Sequence, residues 1–177
     1  LRVVMCKKRA IVVPPCMLAP GLQVKTAVDN SEWRFQYLQL FLRYKIDIIP
    51  YICSESSFKG YENGLLRKSH GIGYYQKIDG YEEHCRNMAK RMTEKICAMK
   101  EGGYEFAAIM GIEHSPSCAV NYIYSNKGML KRSGLFITSL KEYLTLYKVD
   151  IPYIGINRKH TRKSLEALEI KLKHITA

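Results

Sequence analysis

The feature that most constrains the fold is an alternation of short apolar, β-branched runs with longer segments of helical periodicity. Four short runs predict buried strands, at residues 10–13, 46–52, 106–112 and 151–156. Helices are predicted over residues 32–45, 79–100, 135–147 and 161–175. Strands that alternate with helices in this way favour a three-layer α/β domain with a mainly parallel sheet of about four strands.

The helical predictions depend on apolar residues that recur every three or four positions, so that each helix presents one face to a sheet. The face of the first helix consists of Trp33, Tyr37, Leu40, Phe41 and Tyr44. The face of the long second helix consists of Tyr81, Cys85, Met88, Met92, Ile96 and Met99. We expect Asp79 to cap this second helix. In the last helix, Glu169 and Lys173 have the spacing of an ion pair.

In two segments the apolar residues recur with no regular spacing, and we predict that these segments are loops. Residues 54–78 are rich in Ser, Gly, Lys and Tyr, and residues 128–133 are basic. A loop as long as the first is usually functional or mobile in a compact domain. We expect a single domain over residues 1–177, with residues 1–9 as a disordered segment or an extension and a basic C-terminal helix within residues 158–177.

The charge balance favours anionic partners. Lys and Arg number 28 against 16 Asp and Glu, which gives a formal net charge of +12. Such an excess is typical of proteins that bind nucleotides or nucleic acid, although a solvated basic surface is the simpler interpretation. No apolar run approaches the roughly 18 residues that cross a bilayer, and no secretory segment is recognisable. The sequence therefore predicts a soluble cytoplasmic protein without a membrane partner.

Three of the six cysteines share a position in this scheme. Cys16, Cys53 and Cys118 each follow the carboxyl end of a predicted strand. Because these ends lie along one edge of a parallel sheet, where ligand crevices form, we expect the three thiols to converge. Cys85 lies on the apolar face of a helix and is expected to be a small core side chain. Cys97 is expected to be half-exposed, and Cys6 to be unpaired.

Three converging thiolates without a fourth suggest a metal centre with an open coordination position. A [4Fe–4S] cluster is one candidate, because thiolate is the ligand that iron–sulfur clusters use. Zinc is the other, since His114 lies four residues before Cys118 and would complete a Cys₃His site. Plain buried thiols are the third interpretation. Spacing alone does not decide between them.

The segments around these cysteines resemble the 2-thiouracil desulfurase family, a group of small cysteine-containing desulfidases. Ser115-Pro116-Ser117-Cys118 matches the family's Ser-Pro-Ser-Cys motif. Pro50-Tyr51-Ile52-Cys53-Ser54-Glu55 is similar to its Pro-x-Cys-Pro-Glu segment, and the segment from Val12 to Gly21 is similar to its Ser-Ala-Cys-Leu-Leu-Gly opening. The resemblance spans residues 10–157. This chain departs from the pattern with Ser54 in place of a proline and Ala119 in place of a glycine.

The resemblance implies a [4Fe–4S] cluster on Cys16, Cys53 and Cys118, with one iron open to take sulfur from a thiocarbonyl group. It also implies that Ser115 is a proton-handling or substrate-orienting hydroxyl and that Glu55 is a second catalytic group. The simpler interpretations are a turn-forming hydroxyl before Pro116 for the serine, and a surface or capping carboxylate for Glu55.

The predicted loop over residues 54–78 carries side chains that suit an anionic or heterocyclic ligand. The cation and rings that would stack on it and orient it come from Tyr61, Arg67, His70, Tyr74 and Tyr75, although a solvated loop has the same composition. We therefore expect a desulfidase acting on a small thiolated compound such as a thio-nucleobase. The alternative is a basic nucleotide- or nucleic-acid-binding module with zinc or without metal, and nucleic acid is the less favoured partner.

Overall fold

The computed structural model describes residues 8–23, 32–59 and 70–176, which form six strands and six α-helices. Two 3₁₀ turns, Pro15–Met17 and Pro20–Leu22, follow the first strand. Along the chain the elements are β1 (Lys8–Val13), α1 (Trp33–Arg43), β2 (Asp47–Pro50), α2 (Ser54–Lys59), α3 (Ile72–Tyr75), α4 (Tyr81–Glu101), β3 (Tyr104–Ile112), β4 (Tyr122–Ser125), β5 (Gly128–Lys131), α5 (Leu135–Leu146), β6 (Tyr153–Ile156) and α6 (Arg162–Thr176).

Four strands form an all-parallel sheet in the order β2-β1-β3-β6, which confirms the predicted α/β architecture. The first crossover places β2 on one side of β1, and the next places β3 on the other side. This reversal is the kind of topological switch point at which ligands bind, outside the carboxyl ends of the strands. β4 and β5 form a separate antiparallel hairpin beyond the end of β3.

Helices cover both faces of the sheet, so its strands are buried on both sides. On one face, Tyr37 and Phe41 of α1 lie in the same apolar cluster as Leu168 and Leu172 of α6, and all four side chains are fully buried. On the other face, α4 and α5 pack in a second cluster that contains Cys85. Fully burying one such large side chain contributes about 1.5–3 kcal/mol to folding.

The helical faces and the predicted ion pair are confirmed. Trp33, Tyr37, Leu40 and Phe41 are buried, and Tyr44 is partly buried. The Nζ of Lys173 lies 3.4 Å from a carboxylate oxygen of Glu169. None of the described helices is long and apolar enough to span a membrane.

Three local predictions are wrong. Residues 54–59 and 72–75, expected in a loop, are helical in α2 and α3, because Ile72 and Tyr75 are anchored in the core although so short a segment shows no period. Residues 128–131 form β5 rather than a loop, and all four are exposed, so no alternation marks them as a strand. The residue that precedes α4 is Gly80, with φ of 75°, rather than Asp79.

The bounds of all four predicted strands differ from the prediction by one or two residues, since β3 begins at Tyr104 and β6 begins at Tyr153. β2 is shorter than expected and ends at Pro50, so that Tyr51 already belongs to the segment leading into the site. β1 begins at Lys8, so residues 8 and 9, expected in a disordered extension, pair instead with β3.

Candidate functional site

A cavity of about 560 Å³ lies at the carboxyl edge of the sheet, where the strand order reverses. Cys16, Cys53 and Cys118 all line it. They come from the segments that follow β1, β2 and β3 respectively, so the sheet brings together three thiols that are far apart in the sequence. The described cysteines are all free thiols.

The three thiols are close enough to influence one another's ionisation. Burial raises the pKa of Cys16 well above its ordinary value, and the neighbouring Cys118 and Cys53 raise it further, because negative charges would repel one another there. Burial also raises the pKa of Cys118 to about 11, although a hydrogen bond with Ser115 opposes the shift. Cys16 and Cys118 are therefore harder to ionise than an ordinary cysteine.

The local backbone fixes the position of Cys118. Its loop lies directly on two glycines, Gly111 of β3 and Gly134 before α5. A Cβ atom on Gly111 would overlap the carbonyl oxygen of Cys118, and one on Gly134 would overlap the backbone of Ser117. The first amides of α5 also hold the loop, since Leu135 N donates to the carbonyl of Pro116 over 2.9 Å. The Ser-Pro-Ser-Cys loop is thus held to the sheet by close backbone contact.

Glu55, in the first turn of α2, forms the polar wall of the cavity. Its side chain is 9% exposed, and three hydroxyl groups donate to its carboxylate. Ser117 Oγ donates to Oε1 over 2.9 Å, and Ser115 Oγ donates to the same oxygen over 3.4 Å. Tyr75 Oη donates to Oε2 over 2.9 Å. The structure thus brings together the two predicted catalytic residues and adds Ser117, to which the sequence analysis gave no role. It also shows that Tyr75, expected to contact a ligand, binds Glu55 instead.

The hydrogen bonds around Glu55 have a defined direction. Because Ser117 Oγ donates its proton to Glu55, the 2.7 Å contact with Tyr81 requires Tyr81 Oη to donate to Ser117. The 3.2 Å contact between Ser54 Oγ and Tyr81 Oη then requires Ser54 to donate. The whole chain of hydroxyl groups therefore points its protons toward one carboxylate. Such buried networks hold the acceptor in a single orientation.

Ser115 has both of the roles considered for it. Its Oγ accepts hydrogen bonds from the backbone N–H groups of Cys118, over 3.1 Å, and Ser117, over 3.3 Å. This is the turn-forming role of a serine before proline. The hydroxyl's own proton points to Glu55. The hydroxyl therefore links the loop that carries a thiol to the carboxylate.

A cationic wall faces the thiols and comes from the segment after β6. Arg158, Lys159 and His160 line the cavity. An Arg158 Nη atom donates to Gln23 Oε1 over 3.1 Å, and the guanidinium lowers the pKa of Cys16 against the effect of burial. The sequence analysis assigned this segment to a basic helix and missed its place in the site. Their position in the site could have been predicted from the sequence, because these residues follow a predicted strand just as the three cysteines do.

His114 lines the same cavity, in a backbone conformation with φ of 72°. Its ring stacks on Tyr124 at 4.8 Å, and its backbone N–H donates to the carbonyl of Tyr122 over 2.7 Å. Within the described part of the chain, no three or more His, Cys, Asp or Glu side chains form a group around the position of a single metal ion. The predicted role of His114 as a zinc ligand therefore stays a prediction.

The predicted substrate-binding residues separate into three cases. His70 lines the cavity. Tyr74 is not in the cavity wall; it stacks on the His70 ring at 3.8 Å and is 44% exposed. Tyr61 and Arg67 lie outside the described residues.

Comparison with models of protein families, with curated proteins and with solved structures found no match to this chain. The site is therefore interpreted from its own chemistry. Three free cysteine thiols in one cavity are the type of donor that iron–sulfur clusters require. The cavity residues thus fit such a group by donor type.

Proposed function

We propose that the protein is an iron–sulfur-dependent desulfidase, which exchanges the sulfur of a small thiolated compound such as a thio-nucleobase for oxygen from water. The observation that carries the proposal is the convergence of Cys16, Cys53 and Cys118 on one cavity, next to the buried carboxylate of Glu55. The resemblance of the three cysteine segments to 2-thiouracil desulfurases supports it further.

The three cysteines would hold a [4Fe–4S] cluster, one iron of which would then have no protein ligand. When bound, such a cluster supplies a soft Lewis acid that polarises a carbon–sulfur double bond. The overall reaction converts a thiocarbonyl and water into a carbonyl and hydrogen sulfide, so water supplies the oxygen and both protons and no redox partner is needed.

Glu55 would act as the general base that activates the water. Its carboxylate would accept a proton from the water, and the hydroxyl groups of Ser115 and Ser117 hold Oε1 in one position. Tyr75 binds Oε2 and so holds the carboxylate plane. General-base catalysis of this kind contributes about 10²- to 10⁴-fold to a rate.

The remaining walls suit a flat, polar heterocycle. His70 and Tyr124 line the cavity, and their aromatic rings would stack on such a ligand. Arg158 donates hydrogen bonds only, so it orients carbonyl groups or anionic atoms of the ligand. A heterocycle with a thiocarbonyl group has both features.

The proposal is tested by measuring sulfide release from 2-thiouracil and 4-thiouracil with protein reconstituted under anaerobic conditions. We expect release by the wild type and a loss of about 10²- to 10⁴-fold in Glu55→Gln, because the amide cannot accept the proton. Tyr74→Phe is the matched control, since Tyr74 is outside the cavity wall and the variant keeps its ring.

Both variants must retain the visible absorbance of the cluster for the comparison to apply to catalysis. Full sulfide release by Glu55→Gln would remove Glu55 from the mechanism. A protein that binds one zinc and releases no sulfide would instead support the nucleotide-binding alternative.

A further inference from the structure

The β4–β5 hairpin carries an unusual combination of exposed rings and cations next to the cavity. We propose that it is a docking surface for single-stranded nucleic acid. This hairpin surface is formed by Tyr122, Tyr124, Lys127, Lys131 and Arg132. The inference does not depend on the proposed desulfidase activity, because none of its steps needs a cluster or a reaction.

The pairing of the hairpin places the two tyrosines on one side. Tyr122 is opposite Lys131, and Tyr124 is opposite Met129. Because successive residues of a strand point to opposite faces, Tyr122 and Tyr124 share a face and lie about 7 Å apart along it. Ile123, which points the other way, is fully buried and anchors the hairpin to the core. The tyrosine face is thus held outward.

The rings on this face are exposed, and aromatic side chains are usually buried. Tyr122 is 39% exposed and Tyr124 is 53% exposed. The backbone of Tyr122 is held by a hydrogen bond from His114 N to its carbonyl, and the Tyr124 ring is held by stacking on the His114 ring. Exposed rings on one face form the kind of platform on which unpaired bases stack.

The charges on the hairpin surface are not neutralised locally. Lys127, Lys131 and Arg132 are exposed, and none of them forms an ion pair with a carboxylate among the residues described. The sequence contains no Asp or Glu from residue 114 to residue 141. The nearest acidic side chain before this stretch, Glu113, is buried and accepts hydrogen bonds from Asn121 and Tyr122. Along residues 114–141, a strand of phosphates therefore meets no carboxylate of the hairpin itself.

The hairpin surface is continuous with the cavity. Tyr124 and Met129 also line the cavity, and the cationic wall of Arg158 and Lys159 lines it as well. A strand bound on the hairpin therefore passes the cavity mouth between two positively charged regions. Single-stranded rather than duplex nucleic acid fits, because stacking on Tyr122 and Tyr124 needs the faces of unpaired bases. The surface offers no group that selects one sugar, so RNA and DNA oligomers are both expected to bind.

The test is fluorescence anisotropy with fluorescein-labelled U20 and dT20 at salt concentrations from 50 to 200 mM. We expect Tyr122→Ala to weaken binding by about 5- to 100-fold, as for the removal of one stacking platform, and Tyr122→Phe to restore it. Lys131→Ala combined with Arg132→Ala should lower the slope of log Kd against log salt by about 1.4, or 0.7 for each phosphate that is no longer neutralised.

The matched control is Lys95→Ala combined with Lys100→Ala, which removes the same charge from α4. Lys100 lies next to the amino end of β3, at the sheet edge opposite the cavity, and both lysines are exposed. An equal decrease in affinity in this control, unchanged affinity in Tyr122→Ala, or tighter binding of a 20-base-pair duplex would overturn the inference.

The Tyr122 variants are also assayed for sulfide release from free 4-thiouracil, which should match the wild type. Oligomer binding without any sulfide release would leave the inference standing and contradict only the proposed function.

Discussion

The five cysteines that the structure describes lie in two regions with opposite surroundings. Cys16, Cys53 and Cys118 lie on short segments after strands and share a cavity. Cys85 and Cys97 lie on the long helix α4, where Cys85 is fully buried in the core and Cys97 is partly exposed. The described residues thus contain one group of thiols that share a cavity and another group that lie on a helix.

Acidity does not separate Cys118 of the cavity from Cys85 of the core. Burial raises the pKa of Cys85 to about 11, and it raises that of Cys118 to about 11 as well. The difference lies in the neighbours: Cys118 faces other thiols, whereas Cys85 lies among the core side chains of α4 and α5. Convergence at the sheet edge, rather than the ease of ionisation, therefore marks the thiols that would bind a cluster.

The largest expected effect is the loss of the cluster when any one of the three cavity cysteines is replaced. Cys16→Ser, Cys53→Ser and Cys118→Ser should each abolish the absorbance of reconstituted protein at about 400 nm, because each removes one of the three cavity thiolates. Cys97→Ser should leave it unchanged, since Cys97 is on α4 and does not line the cavity. Spectra recorded after identical anaerobic reconstitution provide the measurement. Absorbance retained in all three cavity variants would contradict the assignment of the ligands.

A smaller effect comes from displacing a cavity thiol without removing it. Gly111→Ala puts a methyl group against the carbonyl oxygen of Cys118, so the loop must shift. We expect a loss of about 1–3 kcal/mol in the free energy of unfolding and reduced iron content. Gly21→Ala is the matched control, because its added methyl group meets no atom within 4 Å. Urea unfolding and iron analysis test both. Equal iron content in the two variants would show that the loop tolerates the shift.

The smallest effect concerns the core thiol. Cys85→Ala should keep the cluster and cost about 1 kcal/mol of stability at pH 8. The buried thiol of Cys85 has a raised pKa of about 11, so its neutral form stabilises the fold below pH 9, and this contribution falls as pH rises from 9 to 11. Between pH 9 and pH 11, the free energy of unfolding should therefore decrease less for metal-free Cys85→Ala than for the metal-free wild type. Urea unfolding at several pH values measures this difference. Identical pH dependence would show that Cys85 does not titrate differently in the folded protein.

The main elements of the fold were predictable from the sequence, because the strands are apolar runs and the large helices have a clear period. The short helices α2 and α3 and the hairpin were not. Ile72 and Tyr75 stabilise α3 through burial in the core, which a four-residue segment cannot show as a pattern. In β5 every residue is exposed, so the usual alternation of buried apolar and exposed polar side chains is missing.

The site was predictable where it follows the strand ends and unpredictable where it depends on tertiary contact. Cys16, Cys53 and Cys118 reach one cavity for the topological reason that was used to select them. Ser117, Tyr75 and Tyr81 join the network around Glu55 through contacts between separate elements, and the motif that contains Ser117 does not show that its hydroxyl donates to Glu55. Arg158 was identifiable by the same strand-end rule as the cysteines.

The most direct test of the central claim is the iron, acid-labile sulfide and zinc content per chain after anaerobic reconstitution. The account predicts about four iron and four sulfide per chain in the wild type. It also predicts neither in a variant that carries Cys16→Ser, Cys53→Ser and Cys118→Ser together. One zinc per chain without iron, or iron and sulfide that persist in the triple variant, would contradict it.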